Sequence, residues 1–299
     1  MASSSVKAGA SNLTRASYPQ VTKIGARKRT KKLSDFDVVS EMGEGAYGKV
    51  ILARYREPLE NLIVIKSVYK DRILVDTWVR DMDLGTIPSE IKIMVALSEK
   101  PHENITEIID FFEDKECYHI EMIPHGNPAI DLFDLIELQP NMPEEDCRNI
   151  FRQVVSAIKH LHDLGIAHRD IKDENIILDK QGHLKLIDFG SATYVRSGPF
   201  DVFVGTLDYA SPEVLSGQPY EGKPQDIWAL GILLYTITYK ENPFYNVDEI
   251  MEGELRVPFV MSEKSIDLIR MILNRNVNQR PTIDNILAHP WLSTKPLIA

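Results

Sequence analysis

The chain has 299 residues, 43% of them hydrophobic, and two cysteines; this supports a large buried core and excludes disorder throughout, a disulfide framework and a cysteine-based zinc site. The formal net charge of -10 hides an asymmetry, because residues 1–33 hold eight basic side chains (Lys7, Arg15, Lys23, Arg27, Lys28, Arg29, Lys31, Lys32) and no acidic one. Taking these eight from the 34 basic residues leaves 26 against 44 acidic ones, a body that argues against nucleic acid as the main partner and favours cationic ligands.

Residues 1–33 are poor in large apolar side chains and are expected to form a flexible basic tail. From Phe36 the pattern becomes strand-like, as FDVVSEM, KVILARY and NLIVIKSVY, with Pro58 and Asn61 marking a turn. Pro88 and Ser89 open a helical pattern through Ile91, Met94, Val95 and Leu97 that stops before Pro101. Apolar runs at 105–112 and 118–123 complete five strands and one helix.

Beyond the turn at His125 to Pro128, helical periods dominate, at 130–138, 144–164, 224–239, 263–273 and 282–288. A small, mainly β lobe joined to a larger, mainly α lobe is expected to leave a cleft between them. The longest apolar stretch, around Trp228 to Tyr239, falls short of the ~18 residues that span a bilayer. The first ten residues lack an apolar signal core, so a cytoplasmic location is expected, with nuclear entry an option for so basic a tail.

Three signals carry chemistry. Gly43, Gly45 and Gly48 in MGEGAYGKV precede Val50 at the start of a strand, and glycines let backbone amides approach a triphosphate closely. Alone the motif fits a glycine-rich hairpin turn as well. Lys66 ends the strand IVIK, where an ammonium can grip the α- and β-phosphates if a carboxylate holds it, and Glu90 on the following helix is the natural partner.

The third signal is His168-Arg169-Asp170, then Lys172 and Asn175, then Asp188-Phe189-Gly190, on two loops separated by the hairpin NIILDKQGHLKLI. Phosphoryl transfer needs a carboxylate to orient the incoming hydroxyl, a cation for the transferred group and oxygen ligands for Mg2+. Asp170, Lys172, and Asn175 with Asp188 supply these in turn.

In their order these motifs, continued by Ser211-Pro212-Glu213, the segment from Asp226 to Gly231, and Arg280, resemble the protein kinases over about residues 36–292. The resemblance implies an α+β bilobal protein kinase fold: domain 34–292, N-lobe 34–122 with one key helix, hinge 123–125, mainly helical C-lobe 126–292, and a C-terminal extension 293–299. It implies ATP with Mg2+, or Mn2+ in its place. Val50, Val64, Ile123, His125 and Asp131 would complete the nucleotide site, Glu213 would pair with Arg280, and Asp226 would tie down the catalytic loop.

Lys172 resembles serine/threonine kinases, and Thr206 takes the place of the family's substrate-loop threonine. Glu174 and Asp131 match positions at which basophilic kinases hold arginines upstream of the phosphosite, so protein substrates with basic residues before Ser/Thr are expected. HRDIKDEN, IDLFDLI, LIDFGSA and the long stretch between Lys66 and Glu90 together resemble the PAS kinases, fungal members above all. These are nutrient-responsive enzymes of carbohydrate partitioning with a PAS regulatory region upstream of the kinase, which is expected to lie outside this chain. Another basophilic kinase, Pim-like or of the AMP-activated and calmodulin-dependent group, is the alternative, and a pseudokinase scaffold a remote one. Val202 stands where many kinases place an activating phosphothreonine, so an activation segment ordered without phosphate is expected, with an Asp201 contact to Arg169 as its means.

Overall fold

The computed structural model describes residue 24 and residues 30–45, 47–56, 61–74, 77–126 and 129–293. Most of the basic tail, the Pro58 turn, the end of the 125–128 turn and residues 294–299 lie outside them. The described residues form two compact units, one reaching to Ser98 and resuming from Glu107 to residue 126, the other holding Glu99–Thr106 and everything from residue 129.

The first unit is a five-stranded antiparallel sheet in the order β1-β2-β3-β7-β6, from β1 (Phe36–Gly45), β2 (Gly48–Tyr55), β3 (Leu62–Tyr69), β6 (Ile108–Glu113) and β7 (Cys117–Met122). A separate short hairpin, β4 (Trp78–Asp81) and β5 (Gly85–Pro88), leads directly into α1 (Ser89–Glu99). Alternation places Ile63 and Ile65 of β3 in a core with Phe36, Ile51, Ala53 and Phe112, while Val64 and Lys66 fall on the opposite face. Helix α1 buries Ile91, Met94 and Leu97 of the expected stripe, with Ile93 buried beside them and Val95 half-buried.

The tail boundary needs correcting. Lys31 Nζ lies 2.6 Å from Glu121 Oε1 and 3.0 Å from Asp110 Oδ2, two carboxylates whose side chains are 0% and 2% exposed. Tyr55 donates its hydroxyl to the other oxygen of Glu121, and Leu33 packs against the sheet core. Two buried carboxylates demand a cation, and the sequence just before the family pattern provides it, so this end of the tail is part of the fold.

The lobe boundary also differs from expectation, because Glu99–Thr106 belongs with the second unit. The reason is hydrogen bonding: Asn104 Nδ2 donates to Leu184 O and to Gln153 Oε1, both at 3.1 Å, and Leu186 N donates to Asn104 O at 2.8 Å. The connector at 123–126, expected to be hinge and the start of the C-lobe, falls with the first unit.

After Glu99–Thr106, the second unit resumes with β8 (Ile130–Asp131) and α2 (Leu132–Leu138), where a single helix was expected. Asp131 causes the break: it pairs with Ile177 in a sheet, and its Oδ1 caps α2 by accepting the Asp134 N–H at 2.7 Å. Then follow α3 (Glu144–Asp163), β9 (Ile166–Ala167), β10 (Ile176–Leu178), β11 (Leu184–Leu186), β12 (Thr193–Tyr194), α4 (Pro212–Leu215) and α5 (Gly222–Tyr239). The chain finishes with α6 (Val247–Glu252), α7 (Glu263–Ile272), α8 (Ile283–Ala288) and α9 (Pro290–Ser293). Helix α5 is buried nearly all round, as befits a helix that is apolar on every face, and it serves as the post on which the site loops hang. Both cysteines are free and buried, and among the described residues no helix is long and apolar enough to cross a membrane.

Candidate active site

In the first unit, β1 and β2 close on each other with Gly45 opposite Gly48. A Cβ on Gly48 would stand 1.9 Å from Ser67 O on β3, so only glycine fits there; one on Gly43 or Gly45 would meet nothing within 4 Å. The space over these two glycines is what phosphate oxygens require of a backbone cradle. Val50 lies opposite Lys66, and Val64 opposite Met122. Lys66 Nζ is 2.6 Å from Glu90 Oε1, with the two side chains 17% and 6% exposed. The pairing expected from sequence is thus made. Ile123 is buried and gives its N–H to Glu107 O at 3.1 Å, and His125 is half-buried.

In the second unit, the catalytic loop is held from below. Asp226, wholly buried, accepts the backbone N–H groups of His168 (2.9 Å) and Arg169 (2.8 Å), and His162 Nε2 lies 2.9 Å from the same carboxylate. This grip keeps Arg169 at φ +64°, a left-handed conformation that costs a bulky residue roughly 1–3 kcal/mol and persists only when its surroundings over-determine it.

Asp170 is held from above and from the side. Its Oδ1 accepts both the N–H (2.9 Å) and the hydroxyl (2.8 Å) of Thr206; its Oδ2 accepts Asn175 Nδ2 at 3.2 Å, and its carbonyl the same amide at 2.8 Å. Gly205 permits this approach, since a Cβ there would stand 2.3 Å from Arg169 O. With one amide hydrogen-bonding Asp170, Asn175 keeps its side-chain oxygen as a hard ligand. Asp188, at φ +62°, accepts the Gly190 N–H at 3.0 Å, and Phe189 is buried edge-on against His168.

Lys172 is partly desolvated, which favours its neutral form, but the Glu174 carboxylate 2.5 Å away and the charges of Asp170 and Asp188 outweigh this and raise its pKa. Glu174 is 58% exposed at its side chain. Asp131 spends one oxygen on its helix cap, so the other is what remains for nucleotide or substrate. The oxygen-only set of Asn175 and Asp188 suits Mg2+, which is commonly held by one or two carboxylates together with phosphates.

Arg169 meets other partners than the expected one. Its Nε donates to Ser191 O at 2.8 Å and its guanidinium lies 4.5 Å from the Phe200 ring centroid, while Asp201 is exposed. Phe200 and Phe203 both pack on Tyr220, and Phe200 and Tyr220 exchange backbone hydrogen bonds. An aromatic clasp thus stands where an ion pair was expected, and no motif announced Phe200, Phe203 or Tyr220.

Sequence reasoning also missed Gln225. It accepts from Ser211 N and donates to Tyr209 O, both at 2.9 Å, so adjacent residues of α5 hold the catalytic loop and the segment after Thr206. The expected Glu213–Arg280 pair is bidentate, at 2.6 and 2.8 Å. Burial pushes the Glu213 carboxyl up, but the guanidinium prevails and holds it below its ordinary value.

The sequence profile of the protein kinase domain matches residues 36–292. The chain is 62% identical over 272 residues to the serine/threonine-protein kinase PSK1 of Saccharomyces cerevisiae, covering 90% of this chain and 20% of that protein. It is 50% identical to ppk6 of Schizosaccharomyces pombe over 87% of this chain and 33% of that one. Against the PAS domain-containing serine/threonine-protein kinase of Mus musculus it is 41% identical, over 88% of this chain and 19% of the other. The chain therefore spans a fifth to a third of these relatives' length. The motifs, the geometry and these likenesses place it in the protein kinase family, as a serine/threonine kinase catalytic domain of the PAS-kinase type.

Proposed function

We propose that the chain moves the γ-phosphoryl group of ATP onto serine or threonine hydroxyls of proteins that carry arginine upstream of the acceptor. The carrying observation is Asp170, whose carboxylate is fixed through both oxygens by Thr206 and Asn175. A carboxylate so held is aimed and does not need to reorganise during reaction. The acceptor hydroxyl gives its proton to Asp170 as its oxygen bonds to the γ-phosphorus, and the bond to the β–γ bridging oxygen breaks, releasing ADP. Lys172 offsets the negative charge of the transferred group.

Lys66, set by Glu90, and the glycine turn would hold the phosphates, while Asn175 and Asp188 would hold Mg2+. Bound there, the ion would neutralise phosphate charge. Glu174 and Asp131 would receive substrate arginines; the exposed Glu174 carboxylate, now on Lys172, can exchange that partner for a guanidinium. The aromatic clasp on Arg169 supports an activation segment that works without phosphate. The likeness to PAS kinases supports a role in nutrient and carbohydrate signalling, with a PAS region elsewhere in the full-length protein.

Asp170→Asn is expected to lower kcat by about 1,000-fold while nucleotide binding persists; normal turnover would sink the assignment. A positional peptide array should select arginine before Ser/Thr, and no upstream preference would remove the roles of Glu174 and Asp131. Phosphatase treatment should leave activity unchanged.

A further inference from the structure

The hairpin between β3 and α1 was unforeseen in the sequence, and its position has a consequence for Glu90. Strand β5 ends at Pro88 and α1 starts at Ser89, so Glu90 lies in the first turn, two residues beyond the strand. The base of the hairpin is the Trp78–Pro88 pair. Trp78 packs edge-on against Tyr118 of β7 at 5.9 Å, and Tyr118 donates its hydroxyl to Thr86 O at 3.3 Å, which fastens the hairpin to the sheet that carries Lys66.

The far end is fastened to the helix. Lys92 Nζ lies 2.6 Å from Asp81 Oδ2, with side chains 33% and 19% exposed. Asp81 Oδ1 meanwhile accepts the N–H groups of Asp83 and Leu84, which fixes the hairpin's turn. The Lys92 ammonium, then these turn N–H groups, hold the Asp81 carboxyl at about 2, so this carboxylate stays charged at any physiological pH. Residues two apart on a helix point to nearly opposite sides. Lys92 thus pulls α1 toward the hairpin while Glu90, on the other side, engages Lys66.

We propose that the β4–β5 hairpin is an internal brace that holds α1 where Glu90 meets Lys66, and that Asp81 and Lys92 are positioning residues for ATP use. The proposal rests on the reading of Lys66 as the phosphate-gripping lysine. A helix held in this way needs no separate partner to seat it. Loss of the brace lowers the fraction of molecules competent for ATP, and apparent affinity falls by that fraction.

The test is steady-state kinetics on one arginine-containing peptide, for the unaltered protein and for Asp81→Asn, Lys92→Met, Lys92→Arg and the double variant Asp81→Asn with Lys92→Met. Asparagine keeps the acceptor that the turn needs and removes the charge. Each charge-removing variant is expected to raise KM for ATP about fivefold, the scale of a partly exposed ion pair, with kcat at saturating ATP within about twofold and the melting temperature within about 2 °C. Lys92→Arg should restore the original KM, and the double variant should be no worse than either single one. Asp37→Asn, which breaks the Arg56–Asp37 pair remote from α1, is the control and should leave KM unchanged. An unchanged KM in both single variants, additive losses, or an equal shift in the control would overturn the brace. If Lys66→Met then still abolished transfer, the kinase reading would stand without it, whereas absence of transfer by the unaltered protein would remove that reading itself.

Discussion

The two units hold their candidate functional residues in different ways. In the second, His168 and Arg169 give their backbone N–H groups to Asp226 of the buried helix α5, and Asp170 is held through both carboxylate oxygens by Thr206 and Asn175. In the first, Glu90 reaches Lys66 from a helix whose outer side is tied by a partly exposed ion pair. Buried, redundant hydrogen bonds resist change, while a surface ion pair contributes ~1 kcal/mol or less. Substitutions in the bonds around Asp226 and Asp170 are therefore expected to have larger effects than loss of the Asp81–Lys92 pair.

The contrast breaks most clearly at Asp226. Asp226→Ala removes acceptors from two backbone amides and from His162 at once, and is expected to cost about 3–5 kcal/mol in urea unfolding. Turnover should fall by roughly a hundredfold or more as Arg169 leaves its strained conformation; retention of activity would show that the loop is held by other means.

Arg280→Met should cost about 3 kcal/mol at neutral pH, because it strands a buried carboxylate. Glu213 has a folded-state pKa below the ordinary 4.5, so its contribution is present above that value and is lost as pH falls through the folded-state one. The penalty of the variant should accordingly shrink in acid, as followed by thermal unfolding between pH 7 and 3.

Lys31→Met should cost about 2 kcal/mol, and here the pH dependence begins higher. Burial pushes the Glu121 carboxyl up despite Lys31; without the cation it takes up a proton more readily, so the variant regains stability on mild acidification. Asp37→Asn, at an exposed pair with both side chains 60% exposed, should change stability by less than about 0.5 kcal/mol.

The parts of the site legible in the sequence are those whose chemistry dictates residue type at fixed spacing: Gly43 to Gly48, Lys66, the 168–175 loop, and Asp188. Asp226 and the Glu213–Arg280 pair followed from the family's likeness. Gln225, His162, Phe200 and Tyr220 did not, because they act on partners distant in sequence and carry no local pattern. The β4–β5 hairpin was hidden for a local reason. Its strands have four residues each, Pro88 cannot donate to a ladder and usually argues against a strand, and Gly85 sits at φ +82°. Asp110 and Glu121 fall within apolar runs and carry no local mark of their role; the structure shows both buried, with Lys31 beside them.

That last arrangement bears on where the folding unit begins. The family pattern starts at Phe36, yet Lys31 supplies the cation for two carboxylates deep in the first unit and Leu33 covers its core. A fragment trimmed to the family boundary would keep every catalytic residue and bury two negative charges without Lys31 beside them. The limits of a conserved pattern mark shared chemistry, and the limits of a stable protein are set by charge neutralisation, five residues further upstream.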